Sequence, residues 1–229
     1  HLVADAHAAV ELDGLARGDE QAVRDLGGRN RGLGAGERAP APLRRGPGRH
    51  ERAVEAGLSR LDGPFDLVFV ATGALELGGR GPEKSLRQLE PRAMIEQFAL
   101  NCVGPALVLK HALRLMPRDG RAVFAALSAR VGSIGDNRKG GWYSYRVAKA
   151  ALNQMLHGAA VEVARSHPEA VIAALHPGTV ETPLTARYAG GHPTVPPERA
   201  AERLADVAER LQPRHSGGFY DYAFEEIPW

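Results

Sequence analysis

Residues 121–156 read RAVFAALSARVGSIGDNRKGGWYSYRVAKAALNQML, and this stretch decides the fold. Its apolar opening, Ala122 to Leu127, has the length of a buried strand rather than of a helix. Ser128 follows, then Ser133, then a loop rich in glycine and basic residues. From Tyr145 the period changes: Val147, Ala151, Leu152, Met155 and Ala159 recur at the spacing of one buried helix face. Tyr145 and Lys149, one turn apart, therefore share a side of that helix. The pair predicts proton chemistry. A free phenol has a pKa of about 10, and a cation one turn away favours the phenolate and draws that value down. A serine hydroxyl at the end of the preceding strand would hold a carbonyl in the same cleft. A proton could then pass to or from oxygen while carbon gains or loses hydride.

Outward from this stretch, strands and helices alternate. Phe65 to Ala71 is a strong buried strand bounded by Asp62-Gly63-Pro64, and Thr72-Gly73-Ala74 turns out of it. Leu77 to Glu90 is a polar, glycine-bearing loop of the kind that rims a cleft. Pro91 suits a helix start, because its missing N–H costs nothing there. That helix runs through Met94, Ile95, Phe98 and Ala99 towards Leu115, with Asn101 inside it and Pro105 placed to bend it. The Tyr145 helix ends near Ser166-His167-Pro168, and Val171 to Leu175 is the next buried strand. His176-Pro177-Gly178-Thr179-Val180-Glu181-Thr182-Pro183 then lies where open parallel sheets bind ligands, past the carboxyl end of a strand. Leu184 to Val195 is a loose, short segment. Pro196 to about Leu211 is a helix with Ala200, Leu204, Val207 and Leu211 on one face. Residues 217–222 form the last strand, and Ile227-Pro228-Trp229 packs the end onto the core. The alternation predicts a three-layer α/β/α fold with a parallel sheet.

The ordered run of strand, serines, Tyr-x-x-x-Lys and Ala-Ala-Leu-Asn resembles the short-chain dehydrogenase/reductase family, in its C-factor-like branch. The resemblance covers Phe65 to Trp229. It implies a Rossmann-like domain and reversible hydride transfer between NAD or NADP and a small-molecule carbonyl or alcohol. By resemblance Tyr145 passes the proton, and Lys149 lowers its pKa and holds the nicotinamide ribose. Asn101, in Asn-x-x-Gly-Pro, matches the family asparagine whose local kink holds a water linked to the lysine. Thr72 and Gly73 stand where the family has an Asn-Ala-Gly turn. Pro177, Gly178, Thr179 and Thr182 match the turn that closes over the nicotinamide, and residues 184–195 match the substrate lid. Close relatives read Ser-Ser-x-x-Gly-Ser-Ile with the second serine catalytic. Here that position is Ala129, so the hydroxyl falls to Ser128 or Ser133, with Ser128 preferred. Ala129 and the short lid also leave open a second reading, a protein that keeps the fold for binding or signalling. Relatives pair through the helices that hold Asn101 and Tyr145, which implies a homodimer.

Residues 1–64 do not fit this pattern. They contain no Ile, Phe, Tyr, Trp, Thr, Lys or Met, and a nucleotide-binding domain opens with a strand, a glycine turn and a helix. Short helices are predicted over 5–16, 19–26 and 51–61, with Arg38 to His50 as loop and no buried strand. Gly28, Gly32 and Gly34 have the spacing of a phosphate-binding turn, but Gln21 to Leu26 before them is polar and not strand-like. Gly, Ala, Arg and Pro are encoded by GC-only codons, so the segment before about Ala53 is read as out of frame or otherwise corrupted. A diverged N-terminus with weakened cofactor binding is the rival. Residues 65–229 are taken as the remainder of a single domain that includes the catalytic site. The chain starts at His1 rather than Met, so it is not read as a complete start-to-stop product.

The remaining totals bound the class. The net charge of +2 exerts no global pull towards nucleic acid or anionic lipid. The arginine-rich first fifty residues carry no interleaved aromatics for base stacking. One cysteine, Cys102, excludes an internal disulfide framework and fits a reducing, cytoplasmic compartment. No apolar run is long enough to span a membrane, and the scattered histidines lack metal-ligand spacing.

Overall fold

The computed structural model describes residues 7–10, 23–25, 47–182, 185, 187–188 and 193–229. In chain order the elements are β1 (His7–Val10), β2 (Val23–Asp25), α1 (Pro47–Leu58), β3 (Leu67–Val70), α2 (Pro91–Phe98) and α3 (Gly104–Ala112). They continue with β4 (Ala122–Leu127), α4 (Tyr143–Val163), β5 (Ala170–His176), α5 (Pro197–Arg210) and β6 (Phe219–Asp221). The sheet order is β2-β1-β3-β4-β5-β6. All neighbours pair parallel except β1 with β2 at one edge.

The central strands are apolar throughout because both faces are covered. On one face Val70, Phe124, Ala126, Ile172 and Ala174 pack with Val54 of α1, Val108 of α3 and Leu152 and Leu156 of α4. On the other, Val123, Ala125, Val171, Ala173 and Leu175 pack beneath Leu204 and Val207 of α5 and Leu211 just beyond it. Helices thus lie on both sides of a parallel sheet, as expected. Ile227 is buried and its N–H donates to Phe219 O at 2.8 Å, so the 227–229 tail does close onto the core.

Three local expectations are corrected. His7–Val10 and Val23–Asp25 run as strands rather than as parts of helices. Pairing of β1 with β3, from His7↔Leu67 to Val10↔Val70, overrides local propensity there. The glycine cluster Gly28–Gly34 and the rest of those predicted helices lie outside the described residues. Helix α1 begins at Pro47, inside the stretch expected to be loop, and includes Glu51 as expected. In α4 the face turned to the sheet is Ser144, Ala148, Lys149, Leu152, Asn153, Leu156, Ala160 and Val163, while Val147 is 47% exposed. Of the expected stripe, Leu152 is buried in the core and Ala151, Met155 and Ala159 pack against its edge, so only Val147 falls outside it. The buried side also takes in Ser144, Lys149 and Asn153, polar residues that an apolar period does not mark.

Candidate active site

The expected helix from Pro91 is interrupted where Asn101 stands. Residues Ala99–Val103 form a π-helical turn between α2 and α3, and such turns recur at functional sites. Pro105 lies just beyond it. Its ring cannot donate to the carbonyl one turn back, so the wider turn accommodates it. The fully buried Asn101 faces the loop after β3. Its Oδ1 accepts from Ala74 N at 3.2 Å, and its Nδ2 donates to Ala74 O at 3.0 Å and Gln97 Oε1 at 2.6 Å. Gln97 Nε2 in turn donates to Leu75 O at 2.8 Å.

Gly73 explains why this loop is small. A Cβ there would lie 2.9 Å from Asn101 Oδ1 and 3.2 Å from Lys149 Nζ. Asn101 and Lys149 therefore converge on the Gly73 backbone at the carboxyl edge of the sheet. Lys149 is 2% exposed, and its Nζ donates to Leu127 O at 2.8 Å. The same Nζ lies 5.8 Å from the centre of the Tyr145 ring, so the helix does bring the pair together. Tyr145 borders a small cavity with Leu75, Leu77, Gln97 and Ser144.

The electrostatics reverse one expectation. Burial pushes the Tyr145 phenol up to about 12 rather than down. Burial also draws Lys149 down to about 8. Leaving water costs the phenolate more than the phenol, and that desolvation raises the value.

Both candidate serines are committed. Ser128 Oγ donates to Asn153 Oδ1 at 2.6 Å, one helical turn past Lys149, and Asn153 Nδ2 is buried without a partner. Ser133 Oγ donates to Pro228 O and accepts from Asp136 N at 3.0 Å, which ties it to the C-terminal tail. Ala129 is partly exposed. Beyond β5, Gly178 has φ +79°, and a Cβ there would meet the Tyr222 ring at 2.9 Å. Thr179 O accepts from Val195 N at 3.0 Å. Thr182 N donates to Thr185 Oγ1 at 3.1 Å. These contacts tie the Pro177–Thr182 turn to Tyr222, Val195 and Thr185, and none of them reaches Lys149. His176 is drawn down to about 4, chiefly by burial and then by Arg130, and its Nδ1 has no partner.

The sequence reading missed Gln97 and Asn153. Each lies four residues from a residue it did single out, Asn101 and Lys149, so helical spacing could have found both.

A nicotinamide dinucleotide fits what is present. Gly73 is exposed at the end of β3 with Lys149 and Asn101 behind it, Thr72 Oγ1 is buried without a partner, and Lys149 retains N–H groups beyond the one given to Leu127. Among the described residues no cluster of His, Cys, Asp and Glu could hold a metal ion, and no helix is long and apolar enough to cross a membrane.

A parallel α/β sheet with a Tyr–Lys pair at its carboxyl edge defines a dinucleotide-dependent oxidoreductase domain. Comparison with known proteins narrows the class. Residues 47–214 match the family profile described as enoyl-(acyl carrier protein) reductase. C-signal of Myxococcus xanthus is 30% identical over 73% of this chain and 94% of its own length. The 1-hydroxy-2-glutathionyl-2-methyl-3-butene dehydrogenase of Rhodococcus sp. strain AD45 is 35% identical over 73% of this chain and 70% of its own. Among solved structures, carbonyl reductase Sniffer of D. melanogaster superposes with a TM-score of 0.67 at 22% identity, covering 78% of this chain and 74% of that one. A short-chain dehydrogenase/reductase from Burkholderia multivorans with bound NADP gives 0.66 at 25% identity, covering 78% and 73%. The chain belongs to the short-chain dehydrogenase/reductase family, in its C-factor-like branch. It is an oxidoreductase that acts on carbonyl or alcohol groups with NAD or NADP.

Proposed function

We propose that Tyr145 is the acid/base of this oxidoreductase and Lys149 its supporting cation. The observation that carries this reading is the convergence of Asn101 Oδ1 and Lys149 Nζ on Gly73, with the Tyr145 ring 5.8 Å from the ammonium. When bound, NAD or NADP supplies or accepts the hydride at the substrate carbon. With a pKa of about 12, the phenol holds its proton across the neutral range and is set to donate it to a carbonyl oxygen. Lys149 turns its remaining N–H groups to the ribose and offsets charge on the phenol oxygen. Asn101 supports the proton relay behind Lys149. Ser128 is the hydroxyl that steadies the carbonyl. A half-turn of the Asn153 amide would let its Nδ2 donate to Ser128 Oγ and release the serine proton towards the cleft. Thr72, Gly73, Pro177, Gly178, Thr179 and Thr182 line the cofactor.

Residues 65–229 supply the catalytic part of one domain and residues 1–64 its N-terminal part. The substrate is a small-molecule carbonyl or alcohol. A homodimer is supported by an apolar groove of about 500 Å³ lined by Phe98, Val103, Leu107, Ala151 and Met155, with Ile95 and Val147 exposed on the same helices. Cys102, buried and free, agrees with a cytoplasmic location.

The test is a fluorescence titration with NADH and NADPH, followed by turnover of an aromatic aldehyde with whichever binds. Tyr145→Phe is expected to retain cofactor binding and to lose turnover by about 100-fold or more. Binding of neither cofactor, or unchanged turnover in Tyr145→Phe, would overturn the assignment.

A further inference from the structure

The chain enters α4 through an unusual turn. Gly140, Gly141 and Trp142 all lie in the left-handed region, with φ of 63°, 66° and 53°. Two are glycines, but a tryptophan there is uncommon and costs conformational energy. Trp142 occupies the N-cap position and offers no side-chain cap to the first turn of a 21-residue helix. The open N–H groups of that turn and the positive end of the helix dipole need a partner.

Glu83, from the loop after β3, supplies it. Its backbone carbonyl accepts from Trp142 N. One carboxylate oxygen accepts from Ser144 N at 3.2 Å and the other from Ser144 Oγ. Glu83 is 7% exposed and Ser144 3%. Among the described residues no lysine or arginine forms a salt bridge with this carboxylate. A buried anion without a cation is costly unless hydrogen bonds and a helix N-terminus compensate it. The next residue after Ser144 is Tyr145, and Glu83 and Tyr145 line the same cavity.

We propose that Glu83 is a positioning residue: its buried carboxylate caps the first turn of α4, holds the left-handed entry and so fixes where the Tyr145 hydroxyl points. This rests on the reading of Tyr145 as the acid/base. The geometry favours a purpose beyond stability, because the cap comes from the cleft rim rather than from the residue preceding the helix. Rim and phenol are thereby locked together.

A double-mutant cycle tests it, with NADPH or NADH and an aromatic aldehyde as probe. Glu83→Ala should lower kcat by about 10- to 100-fold, the loss that a misplaced reacting group brings, with the cofactor KM little changed. Glu83→Gln, which keeps the shape and one acceptor, should recover part of that loss. In a Tyr145→Phe background Glu83→Ala should add no further loss, since there is no phenol left to position. Equal losses in both backgrounds, or no loss in either, would overturn the proposal. Loss of activity in Glu83→Ala with full activity in Tyr145→Phe would instead overturn the acid/base reading. A readout independent of turnover is amide exchange. The Ser144 amide should exchange faster in Glu83→Ala while the middle of α4 is unchanged, and unaltered exchange counts against the cap. If Glu83→Ala does not fold, Ser144→Ala removes the side-chain half of the contact and is read the same way.

Discussion

Lys149→Met should remove the cation beside Tyr145 and, with it, a gain in stability that the wild-type protein shows as the pH climbs above 8. Lys149 is 2% exposed, and burial draws its pKa from 10.5 to about 8. In the unfolded chain the same group titrates near its ordinary value. Below pH 8 both states carry the proton, and the folded state bears the full cost of a desolvated ammonium. Between about 8 and 10.5 the unfolded chain binds more protons than the folded one, so stability rises with pH in that window. Above it both are neutral and the cost is gone. Each tenfold change in proton affinity is worth about 1.4 kcal/mol, so the penalty relieved is on the order of 3 kcal/mol. Methionine does not titrate. Urea unfolding of both proteins at a series of pH values from 7 to 10.5 reads the difference, with Cys102 the titrating group whose charge acts on Lys149. Wild type should gain on Lys149→Met by about 1–3 kcal/mol across the series. Parallel stability profiles would refute the reasoning, since they would mean that Lys149 is solvated in the folded state.

Two other substitutions probe the same edge. Gly73→Ala places a methyl 2.9 Å from Asn101 Oδ1, which its hydrogen bonds hold, and 3.2 Å from Lys149 Nζ. Overpacking of this kind costs about 1–3 kcal/mol, and thermal unfolding should show it together with weakened cofactor binding in a fluorescence titration. Ala129→Ser adds a hydroxyl at the partly exposed position beside Ser128, whose own proton goes to Asn153. Steady-state turnover of an aromatic aldehyde should rise, by up to about 100-fold if the new group reaches the carbonyl oxygen.

The pairing of Tyr145 with Lys149 was legible because one helical turn determines it, whatever the helix packs against. The apolar runs 122–127 and 171–175 were legible because strands covered on both faces leave little room for polar residues. The buried face of α4 was legible only in part: Leu152 was marked, but its polar members were not. Val147 looked like core, yet the sheet takes Ser144, Lys149 and Asn153, whose polar atoms find partners only once the fold is formed. The two short strands before residue 47 were equally hidden, since β1 exists by pairing with β3 rather than by its own composition.

By itself, then, the order of residues specified what neighbours along one helix or one strand can settle: the alternation of elements, the Tyr–Lys pair and the glycine beyond Val70. The tertiary structure alone decided which serine hydroxyl is tied to Asn153 and which to the C-terminal tail, and that Asn101 and Lys149 meet at Gly73. It also raised the phenol pKa instead of lowering it. The physical reason is common to all three. Hydrogen-bond partners and desolvation come from segments far apart in the chain, and their strengths exist only after those segments have packed.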